Sequence, residues 1–391
     1  MNDPALVFQS GDVAGPGAHV LIIAVGAYDH LIGGTDEKPE IADRMRQLSS
    51  PPYSARALAD WFLSGAFDHP GRPLASLALA ISEAEAGPYP AGANIPEHAL
   101  PDGGILNVQD AVEAWAGRAS AHPESLAFFY FSGHGVTGSE PLLLCRDYGR
   151  STDNRFRGAV NLGGLLVAME SRAPAEQVYV IDACRSPASL ANSLMSLAHL
   201  GNEILAPDLA GGRAPALQSV HFATSGLSPT YARRNGVSFY TGALIDALNG
   251  GGAQSDIDYW VGTNGLQTAL SAYTKRSAGL DNLKQLPDRT RSPTFMIHRP
   301  AEIRVPVYVT CAPEDAWREA MVLRAASDDL TEELAHDPGA EPQRKEWSAL
   351  LPLDKYRVTA TFNGGRYEAA ESRVMAVPPS ANCQLQVRAR A

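Results

Sequence analysis

The chain has 391 residues, of which 45% are hydrophobic and 19% are charged. This composition can bury a large core and is unlike that of a disordered chain. The formal net charge is −11, and an acidic surface repels phosphate backbones and anionic lipids, which argues against binding to nucleic acid or to a membrane surface.

The termini and cysteines indicate where the protein works. The first twenty residues lack the basic and apolar stretches of a secretory signal, so we expect a cytoplasmic protein. Cys145, Cys184, Cys311 and Cys383 form no CxxC pair and have no histidine cluster beside them. We therefore expect neither a disulfide framework nor a metal site, and no cofactor.

Apolar runs alternate with helical patterns over the first 250 residues. The apolar runs, typical of strands buried on both faces, are residues 19–28, 74–82, 125–133, 177–183 and 219–225. The segments with helical spacing are residues 54–65, 107–120, 161–173 and 239–250, with Ser54 expected as the first N-cap. This alternation predicts a doubly wound, mostly parallel α/β sheet, whose chemistry belongs at the carboxyl ends of its strands.

The pattern of apolar and polar residues changes after residue 300. Residues 304–310, 356–362 and 383–389 alternate apolar with polar side chains, which is typical of antiparallel strands. An Asn-Gly-Gly turn predicts a hairpin over 356–376. We accordingly divide the chain as follows: an N-terminal extension, residues 1–17, an α/β domain, residues 18–300, and a small sandwich-like β-domain, residues 302–391.

Two of the predicted strands end in residues that carry chemistry. Ser132-Gly133-His134-Gly135 follows one aromatic run, and Cys184 follows the run at 177–183. A cysteine nucleophile needs a base to make its thiolate and donors to hold an oxyanion. Glycines on both sides of His134 allow a close approach of backbone and substrate. The alternative to a catalytic pair is a buried structural cysteine and an unrelated loop histidine.

A strand followed by SGHG and a later strand followed by DACRS resemble the caspase-like cysteine peptidases, which include caspases, metacaspases and bacterial relatives. The separation of 184 − 134 = 50 residues is typical of caspases, and the resemblance extends over roughly 18–300. It implies a caspase-like fold with flanking helices and a cysteine endopeptidase activity. By this resemblance Cys184 is the nucleophile, His134 is the base, and the amides of Gly135 and Cys184 form the oxyanion hole.

The resemblance also bears on specificity. Metacaspase-like members carry Asp two positions before the nucleophile and cleave after Arg or Lys, and Asp182 matches that pattern, because a carboxylate pairs well with a guanidinium. Metacaspases have a second acid at the start of the first helix, where this chain has Ser54. Asp29 is a candidate substitute. A substrate site of Asp182, Asp29 and Ser54 is expected to prefer Arg or Lys, and tolerance of other residues is the alternative.

Further expectations concern activation and partners. Many relatives are activated by cleavage of a loop, so Arg213, Arg155 and Arg157, in polar or flexible segments, are candidate self-processing sites. We expect a monomer that acts on a protein or peptide substrate, has an activating protein or protease, and works in a bacterial defence or cell-death pathway. The alternatives are a catalytically silent scaffold that binds partners through the β-domain, and a cysteine-dependent transferase or amidase.

Overall fold

The structure is a computed structural model. It describes residues 3–11, 15–42, 44–85, 87, 89, 99–138, 140–184, 201–208, 214–225, 230–255, 258–340 and 345–390. The chain forms two compact units, which are Met1–Ile245 with Tyr273–Arg299, and Asp246–Ala272 with Pro300–Ala391.

The strands within these ranges are β1 Leu6–Gln9, β2 Ala18–Val25, β3 Leu74–Ser82, β4 Leu126–Gly133, β5 Gly135–Thr137, β6 Pro141–Leu144, β7 Ala159–Asn161, β8 Glu176–Ala183, β9 Leu217–Phe222, β10 Ala253–Gln254, β11 Trp260–Gly262, β12 Asp288–Thr290, β13 Met296–His298, β14 Arg304–Ala312, β15 Ala320–Ser327, β16 Glu333–His336, β17 Trp347–Pro352, β18 Lys355–Phe362, β19 Ala370–Met375 and β20 Ala381–Gln386. The α-helices are α1 Pro39–Ala42, α2 Ser50–Leu63, α3 Ile105–Ala119, α4 Leu162–Glu170, α5 Phe239–Asp246 and α6 Thr263–Leu280.

A seven-stranded sheet forms the centre of the first unit, in the order β1-β3-β2-β4-β8-β9-β12. The five inner strands are parallel, and β1 and β12 add antiparallel edges. All five apolar runs form the inner strands, which confirms the predicted doubly wound, mostly parallel sheet.

Helices cover both faces of this sheet. Successive residues of a strand point to opposite faces, so Phe128 and Phe129 of β4 pack in opposite directions. The ring of Phe128 lies 5.2 Å from that of Phe62 in α2, and the ring of Phe129 lies 5.9 Å from that of Trp115 in α3. The aromatic run of β4 therefore joins both helical layers to the sheet.

The register of β4 against β8 determines where the functional side chains meet. Ser132 pairs with Asp182, and Gly133 pairs with Ala183. Because the strands are parallel and in step, His134 and Cys184 are the next residues at the same edge of the sheet.

The first long helix begins earlier than the sequence predicted. Helix α2 starts at Ser50, next to Ser49, instead of with Ser54 as the N-cap. Pro51 and Pro52 lie in its first turn, where a residue without an N–H is tolerated because those amides have no partner within the helix. Ser54 is therefore a fully buried residue within the helix, and its expected capping role was wrong.

The second unit contains two β-sheets, in the orders β17-β14-β20 and β16-β15-β18-β19. Val307, Val358 and Leu385 belong to one core shared by both sheets, as in a sandwich. The predicted hairpin is present as β18 and β19, and Gly364 and Gly365 adopt the positive φ angles that its turn requires.

Two features of the second unit differ from what the sequence predicted. Strand β14 pairs with β20 in parallel, although alternation had predicted antiparallel strands throughout. The segment Asp246–Ala272 groups with this unit, whereas the sequence placed it within residues 18–300. A division into 18–300 and 302–391 stays a proposal. In the part of the chain that the structure describes, no helix combines the length and hydropathy needed to cross a membrane.

Candidate active site

A pocket of about 340 Å³ opens at the carboxyl ends of β4 and β8. Its lining includes Gln47, Ser132, His134, Asp182, Cys184 and Thr230. The structure thus brings together three of the residues selected from the sequence, namely His134, Asp182 and Cys184.

The imidazole of His134 is oriented by a main-chain carbonyl. Its Nε2 lies 2.7 Å from the carbonyl oxygen of Arg46. A carbonyl can only accept a hydrogen bond, so Nε2 carries the proton and Nδ1 of the neutral ring is left as an acceptor. Burial lowers the pKa of His134, and the bond to Arg46 opposes this shift. The ring is therefore suited to take a proton at Nδ1.

Tyr28 and Gln47, neither of which was predicted from the sequence, add to this arrangement, Tyr28 by contact with His134 and Gln47 by contact with Tyr28. The hydroxyl of Tyr28 accepts a hydrogen bond from the His134 backbone N–H at 2.7 Å, and the two rings lie 5.0 Å apart. Gln47 in turn hydrogen-bonds the backbone of Tyr28. No sequence signal marks Arg46, because any residue supplies a carbonyl. Tyr28 ends the apolar run of β2, where an aromatic side chain is expected for packing alone.

Cys184 is half-buried and contacts Thr230. Its Sγ lies 3.2 Å from the Thr230 amide nitrogen and 3.3 Å from the Thr230 hydroxyl oxygen. The Thr230 amide donates to the sulfur, whereas either partner can be the donor in the hydroxyl contact. Among the described residues the hydrogen bonds of this sulfur go to Thr230, while His134 lines the same pocket. Catalytic hydrogen bonds between such residues tighten in the substrate complex.

Gly135 lies directly against the backbone of Cys184. A Cβ atom at this position would lie 2.7 Å from the Cys184 carbonyl oxygen and 3.1 Å from the Ala183 Cβ, so only glycine fits without displacement. Gly135 opposes Leu143, and the flanking bond runs from the Leu144 N–H to the His134 carbonyl. This pattern marks 135/143 as a non-hydrogen-bonded pair, which leaves the Gly135 amide outside the ladder with β6.

Asp182 forms the buried floor of the pocket. Its Oδ2 accepts hydrogen bonds from the hydroxyls of Ser238 and Thr241, and from Tyr130 at 3.4 Å. Burial raises the pKa of Asp182, and these three hydroxyl donors oppose the shift. Ser54 accepts the backbone N–H of Ser238 at 3.0 Å. Ser54 therefore positions Ser238, a hydrogen-bond donor to Asp182, and is not itself among the described residues that line the pocket.

Asp29 is separate from this group. Its carboxylate pairs with the Arg146 guanidinium at 3.0 Å and accepts a hydrogen bond from the Thr35 hydroxyl. Asp29 is not among the described residues that line the pocket, so the structure does not bring it to Asp182.

The pocket rim carries two arginines that the sequence analysis did not select. Arg233 and Arg234 both line the pocket and are exposed. Arg233 pairs with Asp281 at 3.3 Å and lies over the Phe239 ring. The site therefore combines a negative floor with a positive rim.

The candidate processing sites fall in different places. Arg155 and Arg157 lie in a 3-10 helix, Arg155–Gly158, in which Arg157 is exposed and Phe156 is buried. Arg213 lies outside the described residues. No group of three or more His, Cys, Asp or Glu side chains is arranged to hold a metal ion within the described ranges.

Comparison with known proteins identifies the family of this chain. Residues 20–296 match the family model described as Caspase domain, Peptidase C14. The uncharacterized protein y4kE of Sinorhizobium fredii is 29% identical over 215 residues, which make up 50% of this chain and 58% of y4kE. The chain thus spans little more than half the length of that curated relative.

Two solved structures are also similar. Protein GSU0716 from Geobacter sulfurreducens has 13% identity and a TM-score of 0.41, with 73% of this chain and 98% of that chain covered. Caspase-1 from Spodoptera frugiperda has 11% identity and a TM-score of 0.43, with 75% and 98% covered. Since the family model matches most of this chain, the chain belongs to the caspase-domain family, Peptidase C14.

Proposed function

We propose that the protein is a cysteine endopeptidase that hydrolyses peptide bonds in protein substrates through Cys184 and His134. One observation carries the proposal. The two residues follow paired positions of adjacent parallel strands, and both line one pocket.

The chemistry follows from the orientation of His134. Nδ1 takes the proton of the Cys184 thiol, and Sγ attacks the carbonyl carbon of the scissile bond. The amides of Gly135 and Cys184 donate to the oxygen that becomes negative. The C–N bond then breaks, and His134 returns the proton to the leaving amine. Water adds to the thioester with His134 again as base, which releases the acid and restores the thiol.

The pH profile should reflect the buried histidine. Burial lowers the pKa of His134 below the ordinary 6.5, so the neutral base persists as pH falls through that value. We expect the acid-side midpoint of kcat/KM to lie below pH 6.5. The measurement uses a peptide substrate between pH 4.5 and 8.5, a range of about four pH units that includes the ordinary histidine value. An acid limb centred above 6.5 would contradict a neutral resting imidazole.

We also propose a preference for Arg or Lys before the scissile bond. Among the described residues, the hydroxyl contacts of Asp182 use Oδ2, and Oδ1 is the oxygen that would accept a cation. A guanidinium or ammonium at that place would also oppose the raised pKa of Asp182, because it stabilises the ionised form.

Asp182→Asn tests this preference. The substitution preserves shape and removes the charge, so kcat/KM for an Arg peptide should fall by roughly 10²-fold, while a Leu peptide should change little. Asp29→Asn is the matched control, because it removes an acid of the same domain outside the pocket and should leave the Arg/Leu ratio unaltered. An unchanged ratio in Asp182→Asn would assign specificity elsewhere, with the rim arginines as the first alternative.

Self-processing is proposed at Arg213, with Arg155 or Arg157 as further sites, because the same preference would apply to the chain itself. Intact mass would be followed during incubation of wild type and Cys184→Ala. Fragments ending at one of these arginines in wild type alone would support the proposal, and unchanged mass in both would remove it.

The cellular setting is proposed from family resemblance. We place the peptidase in the cytoplasm, as a monomer, in a bacterial defence or cell-death pathway with an activating protein or protease upstream. Survival of cells after phage challenge, compared between wild type and Cys184→Ala, tests this role. Equal survival would argue against it.

A further inference from the structure

Two short chain segments, residues 26–32 and 45–48, contact each other next to His134. The Ile32 N–H donates to the Met45 carbonyl at 3.1 Å, and the Leu48 N–H donates to the Gly26 carbonyl at 2.8 Å. Ile32 and Arg46 also form an isolated parallel bridge. One segment supplies the Tyr28 hydroxyl to His134, and the other supplies the Arg46 carbonyl.

One side chain joins the two segments at this point. The Gln47 Oε1 accepts the Tyr28 N–H at 2.7 Å, and Nε2 donates to the carbonyls of Tyr28 at 3.0 Å and Ile32 at 3.1 Å. The direction of each bond is fixed, because an amide N–H can only donate and a carbonyl can only accept. Both hydrogens of the Gln47 amide and its oxygen are therefore used.

The position of Gln47 connects these bonds to catalysis. Gln47 follows Arg46, whose carbonyl receives the His134 Nε2–H, and it holds both backbone polar groups of Tyr28, whose hydroxyl receives the His134 N–H. If the amide were lost, the two segments could shift against each other. Both hydrogen-bond partners of His134 would then be displaced at once. A misplacement of about 1 Å at a catalytic group can cost roughly 10²-fold in rate.

We propose that Gln47 is a positioning residue for His134, acting through the Tyr28 hydroxyl and the Arg46 carbonyl. The inference rests on the proposed role of His134 as the base for Cys184. It assigns to Gln47 no contact with the reacting atoms.

The test measures Cys184 reactivity without any peptide substrate. Iodoacetamide alkylation of Cys184 would be followed by mass spectrometry across pH for wild type, Gln47→Met and His134→Ala. With His134 as base, wild-type Cys184 should be alkylated faster than Cys184 of His134→Ala near neutral pH, because the neutral imidazole takes the thiol proton as the sulfur attacks. The two profiles should converge above pH of about 8.5, where an ordinary thiol ionises without a base.

Gln47→Met removes all three hydrogen bonds at similar size. We expect its alkylation profile to move towards that of His134→Ala, and kcat for peptides to fall by about 10-fold to 10²-fold with KM changed by less than about 3-fold. If this variant does not fold, Gln47→Glu gives the same comparison. It retains the acceptor for the Tyr28 N–H but turns a carboxylate towards the Tyr28 and Ile32 carbonyls.

Gln177→Met is the matched control. Gln177 donates to the carbonyls of Met169 at 2.8 Å and Pro174 at 3.0 Å and accepts the Tyr179 hydroxyl, so it is a comparable clamp at the other end of the sheet. We expect reduced stability with a wild-type alkylation profile. A Gln47→Met profile equal to wild type would overturn the inference and leave the Cys184–His134 pair intact. Equal profiles of wild type and His134→Ala would instead overturn the proposed function.

Discussion

Replacing Cys184 by alanine is expected to lower kcat/KM for peptide hydrolysis by at least about 10³-fold, because no other group on the described pocket wall can form the thioester. The half-buried thiol makes its described hydrogen bonds only with Thr230, so its loss should leave the fold intact. Steady-state kinetics with a fluorogenic peptide and a thermal melt of the same sample measure both effects.

Cys145→Ala serves as the thiol control. Cys145 is a free, fully buried cysteine of the same unit, and burial raises the pKa of its thiol, so it is inert as a nucleophile. We expect near wild-type kcat/KM for this variant. If Cys184→Ala kept the activity, or if Cys145→Ala lost it in folded protein, Cys184 would not be the nucleophile.

Gly135→Ala is expected to reduce kcat by roughly 10²-fold to 10³-fold, because the displaced amide would no longer reach the oxyanion, as if one donor were lost. The added methyl group would lie 2.7 Å from the Cys184 carbonyl oxygen, so it must displace the backbone that carries the nucleophile. Gly135 is not at positive φ, and alanine is therefore conformationally allowed there. The predicted effect comes from contact alone, and KM should change much less than kcat.

Gly242→Ala and Gly117→Ala are the matched controls for this substitution. A Cβ at either position meets nothing within 4 Å, and both residues lie in helices, where alanine is favoured over glycine. Both variants should retain activity and stability. Wild-type kcat in Gly135→Ala would mean that the close fit of Gly135 against Cys184 is not needed to position the oxyanion donors.

Strand identity could be predicted because the inner strands of a parallel sheet are buried on both faces and so appear as continuous apolar runs. The meeting of His134 and Cys184 could be predicted for a related reason, since each ends such a run and parallel strands end at one edge. The start of α2 could not be predicted from caps alone. Pro51 and Pro52 look like helix breakers in sequence, although the first helical turn accepts them.

The parts of the site that were missed act through the backbone or at long range. The Arg46 carbonyl carries no sequence identity, and Gln47 acts on backbone groups 15 and 19 residues away. Asp29 follows the strand end much as a pocket acid would, but its pairing with Arg146 involves a residue 117 positions away. The parallel pairing of β14 with β20 likewise depends on chain topology, which alternation of apolar residues does not encode.

A catalytically silent scaffold with the same fold is the main competing account. A scaffold needs the sheet and its core. It does not need a neutral His134 hydrogen-bonded to Arg46, or a position 135 at which only glycine fits. The two accounts differ most sharply in whether the wild-type protein turns over any peptide.

The most direct test is therefore hydrolysis of fluorogenic peptides that differ only in the residue before the scissile bond, with Arg, Lys, Asp and Leu compared. Wild type and Cys184→Ala would be assayed side by side, with and without calcium. We expect turnover of the Arg and Lys peptides by wild type and none by Cys184→Ala. Turnover of the Leu or Asp peptide instead would retain the peptidase and overturn the role of Asp182. Absence of turnover of every peptide by wild type, or equal turnover by Cys184→Ala, would contradict a peptidase with Cys184 as its nucleophile.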